Sequence, residues 1–137
     1  MTKQDELEGI IVLIRPDLLN DPEDNKNRIG TVLSADVLND DVIVGFGDGT
    51  VGLFSFDALL VLRDIDDIRR SAEFDFTLMP REDYYDIMEV CFLAGLTDPA
   101  GRRAAVELAQ KSPMALEYAM QPLSDELGLD QRKALRR

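Results

Sequence analysis

The chain has 137 residues, of which 45% are hydrophobic, and it carries a formal net charge of −12. This length suits one ordinary domain or two very small ones that share a core, and the apolar content excludes wholesale disorder. One cysteine and no histidine exclude an internal disulfide and a Cys-His catalytic pair, and they remove the commonest protein metal ligand.

The charge is spread over the whole chain. Residues 1–63 hold 12 acids and 5 bases (net −7), and residues 64–137 hold 15 acids and 10 bases (net −5). Such a surface is repelled by phosphate backbones and anionic lipid, so we expect no nucleic-acid partner and no membrane partner. The first eight residues, MTKQDELE, are unlike a signal peptide, and we expect a cytoplasmic protein.

Two apolar runs open the chain. GIIVLIR (residues 9–15) is continuous and β-branched, and IGTVLSA (29–35) is a second run, so each predicts a strand. Both faces of the first run are apolar, which indicates that both are covered. The intervening PDLLNDPEDNKN (16–27) is rich in proline, aspartate and asparagine, and it predicts a long solvated loop.

A β-hairpin is predicted next. Apolar residues alternate over residues 42–46, which is the two-residue period of a strand, and Val51 and Leu53 continue this alternation. Between them, Asp48 and Gly49 predict a two-residue turn with positive φ at both positions.

Two short elements complete the first half. FDAL (56–59) predicts one 3₁₀ turn and LVLR (60–63) a last strand. This order of strands and loops over residues 9–63 resembles the SH3-like small barrel, particularly the KOW-type and tudor-type variants. The step Arg-Ile-Gly-Thr-Val (28–32) is similar to the Gly-x-Val strand entry of KOW-type barrels. The resemblance implies a five-stranded β-barrel, and it implies no particular function.

The ligand sites of such barrels can be sought in this chain. A proline-rich ligand needs aromatic residues beside the long first loop and RNA needs basic loops, and PDLLNDPEDNKN offers neither. A methyl-lysine cage needs clustered aromatics around an acid, for which Phe46, Phe54 and Phe56 near Asp57 are candidates. Ordinary burial preference favours instead a core role for the three phenylalanines.

The second half has helical periodicity. DIDDIRR (64–70) predicts a short helix, and FDFTLMP (74–80) alternates in a way that permits an extended segment. Further helix starts are marked by proline or by capping residues, at Pro80, Asp98-Pro99, Ser112-Pro113 and Ser124 or Asp125. Residues 87–96 contain one charge, which predicts a helix buried on more than one side. The basic end RKALRR (132–137) suits a helix C-terminus.

Few residues suggest chemistry. GFGDGTVG (45–52) lies between strands and is no phosphate-binding loop, and no zinc set exists. Four acids of the first long loop raise a calcium hypothesis, but their spacing does not fit the EF-hand pattern; they are Asp17, Asp21, Glu23 and Asp24. We therefore expect no catalytic residue, no metal and no cofactor. Tyr84 and Tyr85 are interpreted either as a packed helix start or as a contact patch.

These patterns predict an α+β protein. Residues 1–63 form an SH3-like barrel, and residues 64–137 form three to four short helices packed on it as one cooperative unit. The favoured function is a non-enzymatic protein-protein interaction module with a protein partner, for which a basic protein is the charge-matched candidate. Its candidate contacts are the aromatic and acidic residues already named: Phe46, Phe54, Phe56, Asp57, Tyr84 and Tyr85.

Two alternatives stay open. The first is an acidic inhibitor or immunity-type protein that binds a basic partner, and the second is a small-ligand or enzymatic site at the junction between barrel and helices. The sequence does not indicate an oligomeric state.

Overall fold

The computed structural model describes residues 7–19, 21–96 and 98–127. In these ranges the chain forms six strands and five α-helices. The strands are β1 (Ile11–Ile14), β2 (Ile29–Asp36), β3 (Asp41–Phe46), β4 (Val51–Phe54), β5 (Leu59–Leu62) and β6 (Met120–Pro122). The helices are α1 (Ile65–Phe74), α2 (Arg81–Ala94), α3 (Pro99–Gln110), α4 (Pro113–Ala119) and α5 (Leu123–Glu126). Two 3₁₀ turns cover Phe56–Ala58 and Phe76–Leu78.

The strands form one open antiparallel sheet, so the α+β class is confirmed and the closed five-stranded barrel is wrong. The strand order is β4-β3-β2-β1-β5-β6, and it leaves β4 and β6 at opposite ends of the sheet. The five predicted strands are all present. The sixth has only three residues, Met-Gln-Pro, which is too short to leave a periodic signal in the sequence.

The described residues divide into two compact units. The first contains the residues up to Val61 together with those from Pro122 onward, and the second contains Leu62–Gln121. The packing of the helical half on the strands stays a prediction.

The first unit has its own hydrophobic core. Its members come from all five predicted strands and from the 3₁₀ turn, with Phe56 among the largest fully buried side chains. Leu123 of α5 belongs to the same core and is 1% exposed, so a residue from the end of the described chain completes a core built mainly from its beginning.

Strand β1 is buried on both faces, as its sequence predicts. Val12, Leu13 and Ile14 are each 0% exposed. It pairs on one side with β2, where Val12 faces Gly30, and on the other with β5, where Leu13 faces Leu60.

The hairpin between β3 and β4 has a longer turn than predicted. The Phe46 N–H donates to the Thr50 carbonyl at 2.9 Å, which leaves three residues in the loop. Gly49 has a φ of +89°, whereas Asp48 does not adopt positive φ, so the predicted two-residue turn is wrong. The Asp48 carboxylate instead accepts hydrogen bonds from the Thr50 N–H and hydroxyl, which favours this geometry.

The helix starts of the second unit follow the capping signals. Asp98 accepts a hydrogen bond from the Gly101 N–H at 2.8 Å, and Ser112 accepts one from the Ala115 N–H at 3.3 Å. The extended segment that the pattern of residues 74–80 permits does not form over residues 74–78, because α1 continues to Phe74 and a 3₁₀ turn follows at Phe76–Leu78.

Helix α3 approaches the end of α2 closely at Gly101. A Cβ atom at this position would lie 2.7 Å from the Leu96 Cβ and 2.8 Å from the Leu93 carbonyl oxygen. Only glycine therefore fits this crossing without displacement of its neighbours.

Candidate functional site

Three of the predicted contact residues belong to the core of the first unit. Phe46 and Phe54 pack edge to face with ring centroids 6.3 Å apart, and they are 7% and 9% exposed. The Arg28 guanidinium carbon lies 3.9 Å from the Phe46 ring centroid. The position that a bound methylated lysine would need over this ring is therefore taken by the protein's own cation.

Phe56 and Asp57 are neighbours that lie in different environments. Phe56 is 0% exposed and has no surface to offer a partner, whereas Asp57 is exposed. The Asp57 carboxylate accepts a hydrogen bond from the Ser55 hydroxyl, and its backbone carbonyl accepts one from Arg15. These contacts hold Asp57 as part of a turn and do not point it into a cage.

The two tyrosines form part of an aromatic cluster in the second unit. Tyr84 packs edge to face on Phe76 with centroids 4.7 Å apart, and Tyr85 lies 6.2 Å from Tyr84. Tyr84 is half-buried, whereas Tyr85 is 60% exposed and Phe76 is 46% exposed. Tyr84 is therefore packed at the helix start, whereas Tyr85 is exposed and its role as a contact residue stays a prediction.

Helix α2 carries an exposed apolar surface that begins at this cluster. Tyr85 and Phe92 are seven residues apart, which places them on one side of the helix, and Leu96 follows two residues after the end of α2 at Ala94. Phe92 is 68% exposed and Leu96 is 41% exposed, so the expectation that residues 87–96 are buried on more than one side is wrong for this side. The buried face of α2 carries Ile87, Val90, Cys91 and Ala94.

Acidic residues border the apolar surface. Glu82 and Glu89 are exposed on the same side of α2, two turns apart. We call the five residues Tyr85, Phe92, Leu96, Glu82 and Glu89 the α2 face. The ion pairs among the described residues use other acids, so neither Glu82 nor Glu89 forms an ion pair there.

An open groove of about 500 Å³ adjoins the end of the α2 face. Its lining comes from the start of α1 with its capping residue and from the last turn of α2 with the two residues that follow it. The lining residues are Asp64, Ile65, Asp66, Arg69, Cys91, Phe92, Gly95 and Leu96. Phe92 and Leu96 thus belong to both the α2 face and the groove. The charged side chains that line the groove already have partners in the protein. Asp66 forms an ion pair with Arg69 at 3.3 Å, and Asp64 caps the start of α1.

The single thiol forms part of the groove wall and has the properties of a structural cysteine. Cys91 is 3% exposed, and burial raises the pKa of its thiol above the ordinary value, with Arg69 opposing part of the shift. A thiol with a raised pKa is a poor nucleophile, so the groove offers shape and apolar surface rather than cysteine chemistry.

The acids with displaced pKa values do not indicate acid–base chemistry. A hydrogen bond and the charge of Arg15 lower the pKa of Asp17, and hydrogen bonds from Thr50 lower the pKa of Asp48. Both carboxylates are exposed, and a lowered pKa keeps them ionised at neutral pH. A general acid at neutral pH requires a shift in the opposite direction.

The acids of the first long loop serve its local geometry. The Asp21 carboxylate accepts hydrogen bonds from the N–H groups of Asn25 and Lys26 at 2.7 and 2.8 Å. Asp17 pairs with Arg15, and Asp24 adopts a φ of 56°. In the described part of the chain, no three Cys, Asp or Glu residues are grouped to hold a metal ion.

Comparison with known protein families, curated proteins and solved structures returns no match for this chain. Within residues 7–19, 21–96 and 98–127, no helix has the length and apolarity that a membrane crossing requires. The site is therefore described by its own geometry: an exposed aromatic and aliphatic surface with acidic neighbours.

The sequence identified one of the three apolar members of the α2 face. The sequence predicts Tyr85 as a candidate contact, whereas the apolar pattern of residues 87–96 predicts that Phe92 and Leu96 are buried. The sequence signal that indicates this exposed side is Glu89. A charged residue in an apolar helix marks the side that faces solvent, so a residue one turn away, such as Phe92, is expected to be exposed as well.

Proposed function

We propose that this protein is a non-enzymatic protein-protein interaction module that binds a basic partner protein through the α2 face. The single observation that supports this most strongly is the exposure of Phe92, a large aromatic side chain that is 68% exposed on a helix whose other side is packed. Aromatic residues are enriched at protein interfaces, where they supply large rigid contact areas.

The apolar content of the surface suits a protein partner. Phe92 and Tyr85 each offer a ring on which aliphatic or cationic side chains pack well. Leu96 and the adjoining groove provide a concave region beside the rings, into which a partner side chain would insert. Burying Phe92 on binding contributes about 2 kcal/mol, which corresponds to roughly thirtyfold in affinity.

The charge supports a basic partner. Residues 62–121 contain 12 acids and 7 bases, a net charge of −5, and Glu82 and Glu89 stand beside the apolar residues. Lysine and arginine side chains of a partner would reach these carboxylates while their stems cover Tyr85 and Phe92. Such an arrangement raises the association rate and lowers affinity for acidic competitors.

Inhibition of a basic enzyme is the first alternative, and it uses the same surface. The net charge of −12 is the observation that favours it. The two functions differ in their consequence for the partner, because an inhibitor abolishes the partner's activity at a 1:1 ratio whereas a module leaves it active. An enzymatic or small-ligand site at the junction of the two halves stays a separate prediction, as do the SH3-like resemblance and the cytoplasmic location.

Site-specific photocross-linking tests the proposed function. The photoreactive residue p-benzoylphenylalanine replaces Phe92 in one variant and Leu38 in a matched control, and the protein is irradiated in the cells that produce it. Leu38 is 93% exposed and lies in the first unit, so both positions tolerate the replacement. We expect a discrete cross-linked product from position 92 and none of that mass from position 38. Identical products from the two positions, or none from position 92, would contradict the proposal.

A further inference from the structure

A second unoccupied surface lies on the first unit, along the free edge of the sheet. Strand β4 ends the strand order, so in the described part of the chain its outer edge pairs with no other strand. Its side chains on the solvent face are apolar and exposed, with Val51 at 57% and Leu53 at 63%. An edge of this kind is a template for an additional strand.

The register of the hairpin shows which backbone groups point outward. The Phe46 N–H donates to the Thr50 carbonyl, and the pairs Val44–Gly52 and Val42–Phe54 follow at two-residue intervals. In an antiparallel pair the hydrogen-bonded positions alternate, so Gly52 and Phe54 bond to β3. The N–H and C=O groups of Val51 and Leu53 therefore point away from β3, toward the open edge.

A groove of about 260 Å³ runs beside this edge. One wall is formed by Val51, Gly52, Leu53 and Phe54, and the other by Asp21, Pro22, Glu23 and Asn25 of the first long loop. Asn25 approaches Gly52 from the core-side face of β4, since a Cβ at Gly52 would lie 3.4 Å from its side-chain nitrogen. The loop thus borders the face that carries Phe54, opposite the face that carries Val51 and Leu53.

The loop wall is held in place before any ligand arrives. Asn25 is 6% exposed and accepts a hydrogen bond from Arg28 at 2.9 Å, while Asp21 caps the N–H groups of Asn25 and Lys26. Arg28 is itself fixed by Asp48 at 3.0 Å. Glu23 is exposed at the rim, and the groove lining contains two acids and no base. A preformed groove lowers the ordering cost of binding.

We propose that the β4 groove binds an extended peptide segment of a partner, added to β4 as a further strand with alternating apolar and cationic side chains. The main chain of the peptide bonds to the outward groups of Val51 and Leu53. Its apolar side chains lie beside Val51 and Leu53 on the solvent face, and its cationic side chains reach Glu23 on the loop side. A second copy of this chain is the poorer occupant, because it would bring the same acids together.

The inference is independent of the proposed function, because β4 belongs to the first unit and the α2 face to the second. Absence of cross-linking at position 92 would not argue against peptide binding at β4. Absence of peptide binding at β4 would likewise not argue against the α2 face.

Titration of the isotope-labelled full chain with defined peptides tests the proposal. The probe is the acetylated and amidated peptide Lys-Val-Lys-Val-Lys-Val-Lys. The comparison peptides replace every lysine with glutamate, or carry methyl groups on all backbone nitrogens. We expect amide shifts concentrated at residues 51–54, and slower hydrogen exchange of the Val51 and Leu53 N–H groups, with the lysine peptide only.

Paired charge reversals separate this site from general attraction to an acidic protein. Glu23→Lys should weaken binding of the lysine peptide at least fivefold, whereas Glu8→Lys, an exposed acid of the same unit outside the groove, should change it less than twofold. Equal loss in the two variants, shifts spread over many acids, or equal binding of the methylated peptide would overturn the proposal.

Discussion

Phe56 and Phe92 provide a direct test of how the structure divides aromatic residues between core and surface. Phe56 is 0% exposed within the core of the first unit, and Phe92 is 68% exposed in the second. Replacing a fully buried phenylalanine with alanine removes its transfer free energy and leaves a cavity, which together cost about 3–5 kcal/mol. The same replacement at an exposed position typically changes the free energy of unfolding by less than about 0.5 kcal/mol.

Urea denaturation followed by far-UV circular dichroism measures both effects. With a slope of about 2 kcal/mol per molar, a loss of about 4 kcal/mol lowers the transition midpoint of Phe56→Ala by roughly 2 M. The total free energy of unfolding of an ordinary domain is about 5–15 kcal/mol, so Phe56→Ala is close to the limit of folding. Phe56→Leu, with an expected cost of about 1–2 kcal/mol, keeps the test quantitative if the alanine variant does not fold.

Phe92→Ala should leave the midpoint unchanged within about 0.3 M. A midpoint for Phe56→Leu equal to that of the wild type would refute the placement of Phe56 in the core. A large fall for Phe92→Ala would show that its ring is packed, and it would remove the main support for the α2 face as a free surface.

Three further predictions concern single interactions. Ser124→Ala should leave the free energy of unfolding unchanged or raise it by about 1 kcal/mol in urea denaturation, because the buried Ser124 hydroxyl has no hydrogen-bond partner among the described residues; a clear loss would contradict this. Gly101→Ala should cost about 1–3 kcal/mol in the same assay despite the higher helix propensity of alanine, because the new Cβ would meet Leu96 at 2.7 Å. Asp75 accepts a hydrogen bond from the Tyr118 hydroxyl at 2.6 Å, and this bond raises the pKa of Tyr118. The contribution of this hydrogen bond to stability is therefore complete below the ordinary tyrosine pKa, and it is lost as the pH rises through the raised pKa. Asp75→Asn removes the charged acceptor, so it should lower the pKa of Tyr118 in a spectrophotometric titration.

The sequence predicted the strands and helices well where a strong local signal exists. The alternation on either side of Gly49 and the capping residues Asp98 and Ser112 each correspond to an element of the structure. These signals are local, because a cap or a turn is decided by a few neighbouring residues.

What the sequence did not predict depends on contacts between distant residues. The return of Leu123 to the first unit's core joins two ends of the described chain, and no local pattern encodes such a pairing. We therefore predict that residues 1–66 expressed alone are poorly soluble, because that fragment lacks Leu123. The open sheet was mistaken for a barrel because strand count and loop order are shared by open and closed sheets.

The candidate site was predicted in part for a related reason. An apolar helix such as α2 shows a weak periodic signal, so Phe92 could not be separated from its buried neighbours by pattern alone. Phe46, Phe54 and Phe56 belong to the core of the first unit, which is the role that ordinary burial preference favours for them over a contact role.

The affinity of the cross-linked partner at several salt concentrations tests the central proposal most directly. Isothermal titration calorimetry would compare the wild type with Phe92→Glu on the α2 face and with the control Leu38→Glu, both replacements of exposed apolar residues by the same acid. We expect the wild type and Leu38→Glu to bind equally and to lose affinity as salt rises, and Phe92→Glu to bind at least thirtyfold more weakly at every salt concentration. Equal affinities of the Phe92→Glu and Leu38→Glu variants, or an affinity that salt does not change, would contradict a basic partner on the α2 face.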